Sequence, residues 1–137
     1  MSMDMPSPKE ICDRALEDLL PHKDEFDAVV VVSDAHAITF GAVVAAALDK
    51  PMLIICTKPH EQFVSQIVPV GVFHPRMRVL YVDDWFEFGA SLRHALEYMF
   101  QSKAPNLVAT YEAVEREYKQ FSMLDYPEVF GNVRGLI

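Results

Sequence analysis

Cysteine is scarce in this sequence, and its arrangement excludes the classes that cysteine usually marks. Cys12 and Cys56 stand far apart, in neither a Cys-x-x-Cys nor a zinc-ligand spacing, which fits two reduced thiols in an intracellular protein rather than a disulfide framework. Long hydrophobic runs are lacking too. The run Ala28 to Val32 is broken by Ser33-Asp34, and the methionine-rich start has no apolar signal core, so a soluble, cytoplasmic protein is expected. No Gly-x-Gly-x-x-Gly is present, which removes the fingerprint of dinucleotide binding. There is no internal repeat and no low-complexity segment. Basic residues are few, 12 against 20 acidic ones for a net charge of -8, so the overall field repels nucleic acid and anionic membranes. A polyanionic ligand would need a local remedy: a divalent cation, the N–H groups of a helix start, or a few placed basic side chains.

What is present is a chain of 137 residues, 51% hydrophobic, enough for one domain over residues 1–137 with one sizeable core. Ser7-Pro8-Lys9-Glu10 combines an N-cap serine, proline at the first helical position and a glutamate three residues after the cap. A helix is predicted from there to about Leu20, with Ile11, Ala15, Leu16 and Leu19 on one face and Pro21 at its end. Ala28 to Val32 is a continuous β-branched run of the kind buried on both faces of a parallel sheet. Ser33 to Ala37 reads as a loop, Ile38 to Leu48 as a helix of small residues packed closely on a sheet, and Met52 to Cys56 as a second buried strand. Lys58 to Pro75 reads as a long excursion with a weaker strand around Ile67 to Phe73. Its His60, Glu61, Gln62, Ser65 and His74, with Arg76 beyond, can cover a ligand or form a solvated hairpin. Arg78 to Val82 is a third apolar strand, Leu92 to Met99 has helical spacing, and Leu107 to Val114 is a further strand. From Glu115 onward the chain is charged, aromatic and irregular.

Strands alternating with helices imply an α/β fold: an open, mostly parallel sheet with helices on both faces, preceded by an N-terminal helix. The closing aromatics Phe121, Tyr126 and Phe130 make a short hood or an interface, with a homodimer contact among the options. In such a fold ligands bind beyond the carboxyl ends of the strands. Asp83 and Asp84 lie at one such end, followed by a short loop whose Gly89-Ala90-Ser91 opens a helix. Helix-start N–H groups favour a phosphate, Gly89 lets the backbone approach it, and Ser91 has a hydroxyl to donate. The two carboxylates can accept from sugar hydroxyls or hold a magnesium ion, or they can simply solvate a turn and cap the helix behind them. Receiver domains and haloacid-dehalogenase-type phosphatases place their acid after the first strand, the latter as Asp-x-Asp, whereas here Val32 is followed by Ser33-Asp34-Ala35.

Four apolar residues, two acids, four loop residues, then Gly89-Ala90-Ser91: the stretch Val79 to Leu92 resembles the ribose-phosphate signature of the type I phosphoribosyltransferases. Asp27 to Lys58 is similar to that family's strand, pyrophosphate loop, small-residue helix and second strand. The resemblance implies transfer of a 5-phosphoribosyl group from phosphoribosyl pyrophosphate (PRPP) to a nitrogenous base, a purine or related ring, with Mg2+ as cofactor. It assigns Asp83 and Asp84 to the ribose hydroxyls and the metal, and Phe88, Gly89, Ala90 and Ser91 to the 5-phosphate. Ser33, Asp34, Ala35, His36 and Ala37 match the pyrophosphate loop, Lys58 the basic residue near the second strand end, and Glu87 an acid placed to handle a proton on the accepting base.

The chain departs from the family at three places. Phe88 stands where a threonine or serine hydroxyl usually meets the 5-phosphate. The pyrophosphate loop has neither arginine nor glycine, and Asp34 adds a negative charge there. Tyr111-Glu112-Ala113 occupies the region where many purine-using members place a lysine that reads a base carbonyl, and a glutamate accepts rather than donates. An alternative therefore stands beside the enzyme: a catalytically inactive protein of this fold that binds a nucleotide or PRPP and regulates.

Overall fold

The computed structural model describes residues 6–32, 35–57, 64–72, 74, 76–83 and 106–120; at 35, 36, 57, 64–67 and 106 it describes the backbone alone. Helix α1 (Pro8–Leu19) starts as its sequence dictates. The Glu10 amide donates to Ser7 Oγ at 3.2 Å and the Ser7 amide donates back to Glu10 Oε1 at 3.3 Å, so two orphan N–H groups are satisfied reciprocally. The α-helix ends one residue before the predicted Leu20, and Leu20–Glu25 continues as a 3-10 turn with Pro21 at its start, where a missing N–H costs nothing.

Strands β1 (Ala28–Val32), β2 (Met52–Thr57), β3 (Val64–Val70), β4 (Arg78–Asp83), β5 (Asn106–Glu112) and β6 (Glu117–Gln120) form one sheet in the order β3-β2-β1-β4-β5-β6. The inner strands β2, β1, β4 and β5 run parallel, and β3 and β6 close the edges antiparallel. The mostly parallel α/β sheet predicted from the alternation is thus observed.

Three local expectations need correction. Helix α2 (Ala35–Leu48) takes in Ala35, His36 and Ala37, for which the sequence predicts a loop. Alanine is the strongest helix former and no breaker stands between Asp34 and Leu48 apart from Gly41, so the helix propagates back to its first possible turn. The strand in the excursion begins at Val64 rather than near Ile67 and stops before Gly71, whose φ of +99° turns the chain. Pro69 is tolerated in it because β3 is an edge strand. Finally, β6 lies where irregular structure was expected. Ala113–Arg116 forms the turn, with Arg116 in the left-handed region at φ 55° and its amide donating to the Ala113 carbonyl at 3.2 Å. The predicted helix Leu92 to Met99 and the aromatic segment beyond Phe121 lie outside the described residues.

Both faces of β1 are buried, all five residues of it. On one face Val29, Val31, Leu80, Val82, Ala109 and Tyr111 pack against Ala15 and Leu19 of α1 and Phe40, Val44, Ala45 and Leu48 of α2. On the other, Val30, Leu53, Ile55 and Tyr81 are equally buried. At the amino ends of the strands, Arg78 donates to Asp27 from Nε at 3.1 Å, from Nη2 at 3.0 Å and from its own amide at 2.9 Å, while the Asp27 amide donates to the Arg78 carbonyl at 2.7 Å. This grip fixes the register of β1 against β4 and holds the Asp27 carboxyl down at about 2, chiefly through the guanidinium. Among the described residues no helix is long and apolar enough to cross a membrane.

Candidate functional site

The carboxyl ends of β2, β1, β4 and β5 lie at one end of the sheet. From β1 the chain crosses through α2 to β2 on one side, whereas β4 is followed in the sheet by β5 on the other. The order therefore reverses between β1 and β4, and a crevice opens at such a reversal. β1 and β4 pair as Ala28 with Val79, Val29 with Leu80 and Val30 with Tyr81; continued by two residues, that register sets Val32 level with Asp83. β1 and β4 thus end at neighbouring positions, on the two lips of the crevice.

Each lip has its own electrostatics. The β1 lip carries the start of α2, with no acidic residue in the helix's first turn, so the helix dipole sets partial positive charge there. Gly41 sets how closely that helix lies: a Cβ built there would stand 2.4 Å from Val31 Cγ1. The β4 lip is acidic. Asp83, half-buried, ends β4 and pairs in register with Glu112, the buried last residue of β5, so the two carboxylates sit on the same face of the sheet. The Ala113 amide donates to the Asp83 carbonyl at 3.0 Å, binding the two strand ends together at their last residues. Both acids make polar contacts in the folded chain.

Behind Glu112 the chain is clamped to the N-terminal helix. Tyr111, on the opposite face, donates its hydroxyl to Asp18 Oδ2 at 2.6 Å, and Arg116 grips both oxygens of the same carboxylate at 2.9 and 2.7 Å. The Arg116 guanidinium, and then the Tyr111 hydroxyl, hold the Asp18 carboxyl below its ordinary value, while burial and this hydrogen bond push the Tyr111 phenol well up. Arg14 Nη1 adds a bond to the Val114 carbonyl at 3.4 Å. A second clamp holds β6: the His22 and Tyr118 rings stack at 4.0 Å, and Glu25 accepts from His22, Tyr118 and Gln120.

Of the residues singled out from sequence, Asp83 lies at the crevice and Ala35, His36 and Ala37 form the first turn of α2 beside it, with Ala37 buried. Ser33, Asp34, Lys58, Asp84, Glu87, Phe88, Gly89, Ala90 and Ser91 lie outside the described residues. In sequence Glu112 stands out as a departure from a lysine, and the fold makes it the neighbour of Asp83. Among the described residues no three His, Cys, Asp or Glu side chains converge as a metal-binding group.

A scan against protein-family models finds no match, and neither does a search of the curated proteins. Solved structures do resemble the chain. The orotate phosphoribosyltransferase of Aeropyrum pernix superposes with a TM-score of 0.60 at 20% identity, over 76% of this chain and 56% of its own. The adenine phosphoribosyltransferase of Saccharomyces cerevisiae gives 0.57 at 20% identity, over 77% of this chain and 66% of its own. The hypoxanthine phosphoribosyltransferase of Staphylococcus aureus gives 0.54 at 15%, over 77% and 63%. The chain therefore spans little more than half of the orotate structure and under two thirds of the hypoxanthine one. Three different acceptor bases appear in those names, and what the structures share with this chain is the architecture: it has the fold of the type I phosphoribosyltransferases.

Proposed function

We propose that the crevice between β1 and β4 binds PRPP with Mg2+ and that the chain transfers the 5-phosphoribosyl group to a ring nitrogen of a nitrogenous base. The observation that carries this reading is the position of Asp83, a strand-end carboxylate at the point of reversal, next to the end of the β1 strand that leads into α2. A diol acceptor on one lip and an anion-favouring helix start on the other match the two chemical halves of a ribosyl pyrophosphate. Asp83 and Asp84 accept from the ribose hydroxyls. Phe88 to Ser91 surround the 5-phosphate through backbone donors, Ser33 to Ala37 and Lys58 meet the pyrophosphate, and Glu87 takes the proton that leaves the accepting nitrogen.

The donor set suits the metal. Mg2+ prefers carboxylate oxygens and commonly takes one or two from a protein, with the remainder from phosphates and water, and Asp83 with Asp84 offer such a pair. Bound there, the ion would supply charge neutralisation for departing pyrophosphate.

Calorimetric titration with PRPP and Mg2+, followed by pyrophosphate release across a panel of bases, tests the proposal. Wild type is expected to bind, and Asp83→Asn to weaken binding by about tenfold or more, the loss of a charged acceptor. No binding by wild type, or binding unchanged in the variant, overturns it. Phe88, lacking the hydroxyl that would meet the 5-phosphate, favours a second reading: binding without release against any base would make the chain a PRPP- or nucleotide-binding regulator of this fold.

A further inference from the structure

Asp83 is held from the β5 side. Among the described residues β1 pairs with β4 as far as Tyr81, whereas β5 pairs with it as far as Asp83, and the Ala113 amide then donates to the Asp83 carbonyl at 3.0 Å. Strand ends fray unless something beyond the ladder fixes them. Here the carbonyl of the same Ala113 accepts from the Arg116 amide at 3.2 Å, so a single residue joins Asp83 to the turn that leads into β6.

That turn is strained at Arg116. Its φ of 55° lies in the left-handed region, which costs a residue with a Cβ free energy and which glycine adopts readily. Arginine stands there instead, and its side chain shows what it contributes: Nε and Nη2 hold the two oxygens of Asp18 at 2.9 and 2.7 Å, and Nη2 lies 3.2 Å from Glu17 Oε1. The single ammonium of a lysine cannot reproduce this fork. Both acids belong to α1, whose Ala15 and Leu19 are fully buried, so the anchor is part of the core. Contacts therefore run without a break from α1 through Arg116 and Ala113 to the backbone of Asp83. Arg116 reaches Asp18 on the face of the sheet that carries Tyr111, opposite to the face of Asp83, and so acts through the backbone rather than by touching a ligand.

From this we infer that Arg116 is a positioning residue for the ribose site: its grip on α1 holds the end of β5, and through the Ala113 amide the end of β4, where the Asp83 carboxylate accepts from the ribose hydroxyls. This role rests on the proposed function and deepens it. Arg116→Gly isolates it, since glycine keeps the left-handed turn at no steric cost and removes the guanidinium alone.

The test uses wild type, Arg116→Gly and Arg116→Lys, each first shown to be folded by its urea transition. Amide hydrogen exchange compares Ala113 with Val29, whose amide donates to the Pro51 carbonyl at 3.0 Å in the middle of the sheet, and calorimetry gives the affinity for PRPP with Mg2+. A residue that served stability alone would raise global opening, which Val29 also reports, and would leave the affinity of a folded protein unchanged. In Arg116→Gly, exchange at Ala113 is expected to quicken about fivefold or more relative to Val29, and PRPP to bind about threefold or more weakly. Arg116→Lys keeps a charge beside Asp18 without the fork, so it should lie between the other two, and it carries the same test if the glycine variant does not fold. A smaller loss of PRPP affinity, or a loss with the protection of Ala113 unchanged relative to Val29, overturns the positioning role and leaves the proposed function intact. Failure of wild type to bind PRPP removes both readings.

Discussion

Gly41→Ala probes the contact that places the start of α2 beside the crevice. The added Cβ would meet Val31 Cγ1 at 2.4 Å, with Met52 Sδ at 3.4 Å and Val31 Cβ at 3.6 Å. Carbon atoms prefer about 3.5–4.0 Å, so the first contact is too short by roughly 1 Å. Val31 is fully buried in the middle of the sheet, and its methyl is not the end of a long side chain that swings aside. Either α2 lifts from β1 or Val31 leaves its rotamer. Overpacking of this kind costs about 1–3 kcal/mol, and the better helix propensity of alanine returns about 0.8–1 kcal/mol, for a net loss near 1 kcal/mol. Urea unfolding reads this as a lower midpoint at unchanged slope. The decisive measurement is the cycle with Val31→Ala, which removes the offending methyl and creates a space that the new Cβ fills. The double variant should be more stable than the sum of the single losses by at least about 1 kcal/mol. A Gly41→Ala protein as stable as wild type, or a cycle additive within about 0.5 kcal/mol, refutes the packing argument.

Acid unfolding reports on Asp27. Its folded carboxyl titrates at about 2 beside Arg78, below the unfolded value, so its stabilisation is complete above about pH 4 and is lost as pH falls through 2. Asp27→Asn should flatten the stability profile across that window and cost about 1 kcal/mol or less at neutral pH, because the pair is well exposed and screened; an unchanged profile refutes the assignment. Asp18→Ala leaves the Tyr111 hydroxyl and the Arg116 fork without their shared acceptor and should cost about 2–3 kcal/mol in urea unfolding, with Asp18→Asn losing less because one acceptor survives. A loss under about 0.5 kcal/mol in Asp18→Ala would show that the clamp does not hold β5 and β6 to α1.

The parts of the fold legible in the sequence were those whose local chemistry and burial agree. The capping box at Ser7 to Glu10 marked a helix start, and Ala28 to Val32 announced a doubly buried strand because five consecutive apolar residues leave no polar face. Glu117 to Gln120 could not announce itself. It is an edge strand with one half-buried residue, Tyr118, so its partner strand and the clamp at Glu25 supply what a hydrophobic pattern would otherwise show. Ala35 to Ala37 misled for another reason, since small residues serve loops and helices alike and only continuity with the rest of α2 decides. The site was half legible: Asp83 stands at a strand end that its own sequence defines, whereas the pairing of Asp83 with Glu112 is a matter of register across 29 residues of chain, which no local pattern encodes.

The two ends of β4 separate stability from binding. Asp27 grips Arg78 at the first residue of the strand and Asp83 is its last, so five steps of about 3.3 Å put the two acids roughly 17 Å apart. That exceeds the screening length of about 8 Å at physiological salt, so the two charges act largely independently. Aspartate to asparagine at either end is the same chemical change, yet its consequences should not overlap. Asp27→Asn should lower acid-sensitive stability and leave PRPP affinity within about twofold, whereas Asp83→Asn should weaken PRPP binding by about tenfold or more. If Asp27→Asn weakened PRPP binding as far as Asp83→Asn does, binding would depend on the register of β1 against β4 as a whole, and the special position of Asp83 at the crevice would no longer explain it.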